Sequence, residues 1–340
     1  MKAALLNDIN VIEVKEVMKP SVGNGDILVE MKACGLCGTD LEKMQGQYTA
    51  AKPVLGHEAA GIVVETGSDV NQFVLGDRVF PHHHTPCNNC KVCKKGNETM
   101  CPHYRASNLD PSGFSEYFRV PAWNIKQGGV LQLPEKVSFE EASFIEPIAC
   151  CIRGLSRSKV SSDDTVLVIG AGPVGLTHLQ LLKQIGSNIL ISDINKKRLN
   201  IAKAQGASKI YNIREVDIPT RVKEDTDGLG VDVALIATGN PKGIIQALKA
   251  VRKGGTVCLF GVPVVGSILN YDFSDIFNSE TSIISSYGAT ETETKKSLEM
   301  IETHKVNPTS LITDRFTLEE FREAISKATK GEGMKTIITP

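Results

Sequence analysis

Over the first eighty residues the apolar positions fall in short β-branched runs cut by turns: Ile27-Leu28-Val29-Glu30-Met31, Gly61-Ile62-Val63-Val64-Glu65 and Asp77-Arg78-Val79-Phe80. Runs of that length and composition predict an all-β module. Between 82 and 113 the periodicity fades and Cys, His, Asn and Pro crowd in, so a loop this long needs something to staple it. From Ser138 the pattern turns helical, with Ser138 and Glu141 spaced as a capping box before Ala142-Ser143-Phe144-Ile145. After Ser161-Ser162-Asp163-Asp164, apolar runs of strand length alternate with amphipathic helices. The runs are 166–169, 189–191, 231–236 and 256–260, and the predicted helices between them include 173–185, 195–205 and 241–252. Strands apolar on both faces and alternating with helices predict a parallel sheet covered on both sides. The last fifty residues predict two more helices, the second opened by Thr317 and Glu320, and finish in Lys335-Thr336-Ile337-Ile338-Thr339.

A length of 340 residues fits about two domains. Lys and Arg number 38 against 39 Asp and Glu, and no long run of one sign occurs, so nucleic acid and anionic membranes are not expected partners. The longest charge-free apolar run, 165–176, contains three glycines and a proline and falls short of the roughly 20 residues a bilayer span needs. Asn7 and Asp8 interrupt the N-terminal segment before a signal-peptide core forms, so a cytoplasmic location is expected. Nine cysteines, an odd number without an export signal, point to metal or thiol chemistry rather than a disulfide framework.

Gly170-Ala171-Gly172-Pro173-Val174-Gly175 follows one predicted strand and opens a helix. The first glycine permits a tight turn, the second lets the backbone approach a pyrophosphate, and the third lets helix and strand pack closely. Asp193, eighteen residues past Gly175, sits where a carboxylate can accept from both hydroxyls of an adenosine ribose and repel a 2′-phosphate. This favours NAD, while Lys196, Lys197 and Arg198 keep NADP open. The candidate cofactor-binding residues are Gly170, Gly172, Pro173, Val174, Gly175, Asp193 and Arg198.

Cys87-x2-Cys90-x2-Cys93-x7-Cys101 places four soft ligands on a loop short enough to wrap one ion, as in a closed structural zinc site. An iron–sulfur cluster is the rival, because ferredoxins use a similar run followed by proline, but their last gap is three residues rather than seven. A second set is scattered: Cys34 and Cys37 with Thr39 and Asp40, then His57-Glu58, then Glu146-Pro147. Spacing alone says only that thiolate, imidazole and carboxylate groups could meet at a metal with an open position.

Gly56-His57-Glu58-x2-Gly61-x5-Gly67-x2-Val70 resembles the zinc signature of the medium-chain zinc-dependent alcohol dehydrogenases, and Gly35-x-Cys37-x-Thr39-Asp40, the cysteine lobe and the glycine turn follow in that family's order over essentially the whole chain. The resemblance implies an α/β protein with a GroES-like, β-rich catalytic domain over 1–149 and 287–340, and a Rossmann, doubly wound parallel-sheet domain over 150–286. It also implies one catalytic and one structural zinc per chain, NAD, a small-molecule alcohol as substrate, and a homodimer or homotetramer. By that likeness Cys37 and His57 are metal ligands and Glu146 is the third ligand or holds its water. Glu58 is a neighbouring carboxylate that exchanges on and off the ion, Asp40 orients His57, Thr39 passes the substrate proton outward, and Cys34 is a packed strand residue.

The Glu146-Pro147 pair resembles the sorbitol and galactitol-phosphate dehydrogenase branch, which implies hydride transfer from a secondary alcohol of polyol or sugar-alcohol kind to NAD. His84, three residues before Cys87, is placed like an active-site histidine of threonine dehydrogenases, although His82-His83-His84 also reads as a solvated loop. An L-threonine 3-dehydrogenase or a simple alcohol dehydrogenase is therefore the alternative. Glu42 stands where many members carry an outer relay histidine. Tyr48, His84 and Arg105 are candidates to line the substrate pocket. A zinc-independent quinone reductase would lack the cysteine lobe and the Cys37, His57 pair. A zinc-ribbon protein that only senses cofactor is the reading from a different class.

Overall fold

The computed structural model describes residues 1–47, 54–263 and 265–340. Chain contacts divide it into two compact units, Met1–Ala149 with Gly288–Pro340, and Cys150–Tyr287. Among the described residues no helix is long and apolar enough to cross a membrane.

The first unit is built on a sheet whose order runs Ile312–Thr317, Lys335–Thr339, Ile27–Leu36, Glu58–Thr66, Arg78–Pro81 and Val130–Gln132, with Tyr117–Val120 also paired to Ile27–Leu36. The strand Ile27–Leu36 is central: Gly35 pairs with Glu58 on one side and with Ile337 on the other. Thus the C-terminal strand lands beside the segment that carries Cys34 and Cys37. Ile27, Val29, Met31, Val63, Phe114, Phe118 and Phe321 belong to the core beneath. The Phe114 and Phe321 rings meet at 4.8 Å, anchoring the helix Phe321–Thr329 by a burial worth about 1.5–3 kcal/mol per ring. Among the described residues, the runs named in the first eighty leave out the strands Lys2–Asp8 and Val11–Glu16 and, against the all-β reading, the helix Gly38–Met44. Its cause is local: the Asp40 carboxylate accepts the Cys37 N–H at 3.2 Å, capping the first turn.

The capping box of Ser138 and Glu141 is formed ahead of Phe139–Ala142. The segment 82–113 contributes no strand and holds only the short 3₁₀ turns Cys93–Lys95 and Glu98–Met100, the first closed by Gly96 at φ 75°.

The second unit carries a six-stranded sheet, every pairing parallel. Across the sheet the strands run Lys209–Asn212, Asn188–Asp193, Thr165–Ile169, Val231–Ile236, Val251–Leu259 and Ser282–Ser285, which in sequence order is 3-2-1-4-5-6, the doubly wound dinucleotide-binding arrangement. Leu167, Ile169, Leu190, Ala234, Ile236 and Val257 are buried in its core. The helix expected to reach 252 ends at Ala250, because Val251 pairs with Val231. The helix Pro173–Ile185 starts from proline at its first position, where a missing N–H costs nothing, and stops at Gly186 with φ 93°. The chain reverses direction across the sheet between Thr165–Ile169 and Val231–Ile236, and the glycine turn follows the first of these.

Candidate active site

The four sulfurs of Cys87, Cys90, Cys93 and Cys101 lie within 4.8 Å of one another. The measured separations are 3.5 Å for Cys90 to Cys93, 3.9 Å for Cys90 to Cys101 and 3.5 Å for Cys87 to Cys101. Four sulfurs at about 2.3 Å on one tetrahedral ion stand about 3.8 Å apart, so the lobe fits a single zinc. Thiolates bound to separate irons of a cluster lie farther apart. The backbone supports the charge. The N–H groups of Cys87 and His103 both point at the Cys101 sulfur at 3.4 Å, and those of Asn89 and Cys90 bring the Cys87 thiol down to about 6.

Cys37, His57 and Glu58, from three different local structures, also present their ligand atoms within 4.8 Å of one another. Cys37 caps the helix Gly38–Met44, His57 lies just before the strand Glu58–Thr66, and Glu58 opens it. Asp40, fully buried, stands 3.4 Å from Nδ1 of His57 and also accepts the Gly56 N–H at 3.1 Å. Burial alone would raise the Asp40 carboxyl, but the His57 and Lys43 charges and the Cys37 N–H outweigh it and hold it at about 2. Asp40 thus fixes the His57 ring through one nitrogen and leaves the other for a ligand. Cys34 is wholly buried in its strand, and burial pushes its thiol well above 9, so it is chemically quiet.

Glu58 has a partner that sequence reasoning missed. Its Oε2 accepts a hydrogen bond from Nζ of Lys335, delivered by the C-terminal strand, and both residues are buried. Burial alone would lower Lys335, but the Glu58 and Cys37 charges hold its pKa above 10.5. Gly35 makes room for this pair: a Cβ there would stand 1.9 Å from Glu58 Oε2. Glu58 Oε1 is buried without a hydrogen-bond partner. A thiolate, an imidazole and a carboxylate oxygen that lacks a partner form a donor set that fits zinc with a position left open.

Glu146 falls in a different group, with His82 and His83, whose ligand atoms are likewise within 4.8 Å of one another. The reading of His82-His83-His84 as a solvated loop is incorrect: His82 is 0% and His83 8% exposed. Their backbone is tethered from within, because the Asn124 side-chain amide donates to the carbonyls of both at 2.7 and 3.1 Å. His84 is engaged otherwise. Its Nδ1 donates to the Ser107 carbonyl at 3.0 Å, and burial brings its pKa down to about 3.

Thr39 sits half-buried in the first turn of the helix after Cys37, and Glu42, one turn on, is pushed up by burial. Arg105 is exposed, and Tyr48 lies outside the described residues.

In the second unit, Gly170 has φ +107°. A Cβ on Gly175 would stand 1.8 Å from the Gly170 carbonyl oxygen, so only glycine lets helix and strand approach this closely. Gly172, Pro173 and Val174 are half-buried at the tip of the turn. Asp193 ends its strand and accepts the N–H groups of Ala171 and Asn195, each at 2.7 Å. Its oxygens retain further lone pairs for hydroxyl donors. A guanidinium nitrogen of Arg198 comes within 3.8 Å of where a Cβ of Gly172 would be, beside the same turn.

Residues 23–134 match the alcohol dehydrogenase GroES-like domain family and 173–303 the zinc-binding dehydrogenase family. The sorbitol dehydrogenase of Bacillus subtilis (strain 168) is 34% identical over 351 residues, covering 100% of this chain and 97% of that protein. The D-arabitol-phosphate dehydrogenase of Enterococcus avium is 30% identical over 325 residues, covering 94% of this chain and 91% of that one. Among solved structures, a protein described as a zinc-binding dehydrogenase from Sinorhizobium meliloti 1021, bound to NADP, superposes with a TM-score of 0.89 at 29% identity, covering 100% of this chain and 99% of that one.

Proposed function

The chain belongs to the zinc-dependent alcohol and polyol dehydrogenase family, and from that premise we propose that it oxidises a secondary alcohol of polyol or sugar-alcohol kind with NAD. The observation that carries this reading is the convergence of Cys37, His57 and Glu58 around one point. Zinc held there would supply Lewis acidity towards an alcohol oxygen, and NAD would supply the hydride acceptor. Cys37 and His57 hold the ion, and Asp40 keeps the His57 ring in its ligating orientation. Glu58 supplies the third ligand through Oε1 while Lys335 retains Oε2. Thr39, in the helix turn that follows Cys37, takes the substrate proton outward. The N–H groups at the start of Pro173–Ile185 receive the pyrophosphate, and Asp193 the ribose hydroxyls. A second, structural zinc is held by Cys87, Cys90, Cys93 and Cys101.

The solved neighbour named above binds NADP, so the preference for NAD rests on the Asp193 carboxylate, which would repel a 2′-phosphate. The polyol class is supported by the sorbitol and arabitol-phosphate relatives together with the Glu146-Pro147 pair. Reduced lobe cysteines suit a cytoplasmic protein. The edge strand Ser282–Ser285, with Ile283 exposed and Phe273 and Phe277 exposed on the preceding helix, suits pairing with a second copy in a homodimer or homotetramer.

The test is steady-state oxidation of polyols, sugar phosphates, L-threonine and simple alcohols with NAD and with NADP. Turnover is expected on a polyol or its phosphate with NAD. Cys37→Ser and His57→Ala should abolish it while leaving NAD binding, measured by calorimetry, intact. Undiminished turnover in metal-stripped protein would overturn the reading.

A further inference from the structure

We propose that Tyr104 is a positioning residue: its hydroxyl ties the cysteine lobe to the stretch 286–288 and so holds the part of the chain that meets the nicotinamide half of the cofactor. The inference rests on the dehydrogenase reading above. Gly170, Ala237, Phe260 and Ser286 each follow a strand of the parallel sheet. Pairing of Ile169 with Ile236, Ile236 with Leu259 and Leu259 with Ser285 sets them in one row along its carboxyl edge. Dinucleotides bind outside that edge, one mononucleotide on each half of the sheet. The glycine turn and Asp193 belong to the half that takes the adenosine, so the nicotinamide falls to the half whose strands lead into Ala237, Phe260 and Ser286.

The stretch 286–288 is anchored at both ends. On one side the Ser285 carbonyl accepts from Nε of Arg157 at 2.9 Å, and the Ser286 N–H donates to the Leu259 carbonyl at 3.1 Å. On the other, the Tyr104 hydroxyl donates to the Ala289 carbonyl at 2.6 Å and accepts the Ala289 N–H at 3.2 Å, across 185 residues of sequence. One hydroxyl that satisfies both backbone groups of one residue fixes the chain there in position and direction. Tyr104 and Ala289 are both buried, so water is no substitute partner. Gly288 makes the approach possible: it takes φ +62°, and a Cβ on it would stand 2.5 Å from the Tyr104 hydroxyl. Tyr104 is in turn set by the lobe. Its N–H donates at 2.9 Å to the carbonyl of Cys101, the last of the four cysteines, and the N–H of the intervening His103 points at the Cys101 sulfur. A metal that fixes the four sulfurs therefore also fixes Tyr104.

The experiment measures by calorimetry, on the zinc-loaded full chain, the Kd of NADH and of ADP-ribose, which carries the adenosine half without the nicotinamide. Tyr104→Phe keeps the ring, whose centroid lies 5.5 Å from that of His84, and removes only the hydroxyl. The stretch must then be ordered as the cofactor binds, which should weaken NADH about tenfold and leave ADP-ribose unchanged. Gly288→Ala, which displaces the hydroxyl, and Cys90→Ser, which frees the lobe, should give the same split between the two ligands. The three variants reach the hydroxyl by different routes, so one that fails to fold leaves the others to decide. NADH bound as tightly as by the wild type, in any variant that keeps the wild-type far-UV circular dichroism, overturns the proposal. So does an equal loss for both ligands, which is what a merely structural hydroxyl would produce. A wild type that binds neither ligand overturns the dehydrogenase reading itself, so the two failures are told apart.

Discussion

Lys335 shows how much one side chain can decide. Its ammonium is the buried counter-charge of Glu58, and replacing it with an apolar residue would strand a carboxylate in the core. Lys335→Met should therefore cost about 3–5 kcal/mol in denaturant unfolding, and the double variant Glu58→Gln, Lys335→Met should recover most of that loss. Cys37, His57 and Asp40 were singled out through family likeness, because spacing alone said only that such groups could meet. Lys335 was not, since a lysine in an apolar terminal run gives no sign of its partner until strand register brings the two together. His178 offers a cleaner test of pH because it lies away from every metal candidate. It is fully buried, its Nδ1 donates to the Val174 carbonyl at 3.1 Å, and burial brings its pKa from 6.5 to about 4. Between those values the unfolded chain binds a proton that the native state refuses, so stability is complete above pH 6.5 and falls as the pH drops towards 4. The loss is about 3 kcal/mol, and His178→Gln should flatten that part of a pH series of unfolding curves.

At the level of elements, caps were partly readable: Thr317 and Glu320 do not open the last helix as expected, since Thr317 ends the strand Ile312–Thr317 and the helix Phe321–Thr329 begins after Glu320. The Ser138, Glu141 box and the proline start of Pro173–Ile185 formed where their chemistry placed them. The helix Gly38–Met44 escaped notice because Cys37 is an unusual capping residue and the side chain that stabilises the turn also faces the metal candidate. The fate of the three histidines was hidden for another reason: polar residues in a loop look solvated until a buried amide such as Asn124 pulls them inward. The cysteine lobe makes a sharp prediction. With only two 3₁₀ turns across 82–113, its shape depends on the four sulfurs. Cys90→Ser should lose one zinc equivalent by elemental analysis and be cleaved between 87 and 101 at least roughly tenfold faster in limited proteolysis.

Taken whole, the molecule separates its chemistries. All candidate metal ligands belong to Met1–Ala149 with Gly288–Pro340, and the glycine turn, Asp193 and Arg198 belong to Cys150–Tyr287. Hydrogen exchange read by unit should then respond selectively. NAD at a hundredfold excess over its Kd should protect the parallel sheet by about 2.7 kcal/mol, whereas chelation should loosen the first unit. Equal responses in both units would contradict this division. A parallel sheet was foreseeable from alternating apolar runs, but its doubly wound arrangement and the return of the last segment to the first sheet came from family likeness, because no local pattern encodes a pairing partner so distant in sequence.

That return also has a consequence for biosynthesis. Glu58 and its ammonium partner are separated by 277 residues. At about 5–20 residues per second, a ribosome spends roughly 15–55 s between making the two. Throughout that interval the carboxylate has no counter-ion of its own, so the nascent N-terminal sheet cannot close over it without penalty. Burial of this acid therefore has to wait until Lys335 has been made, and a chain stalled before Lys335 should be recognised by chaperones as unfinished.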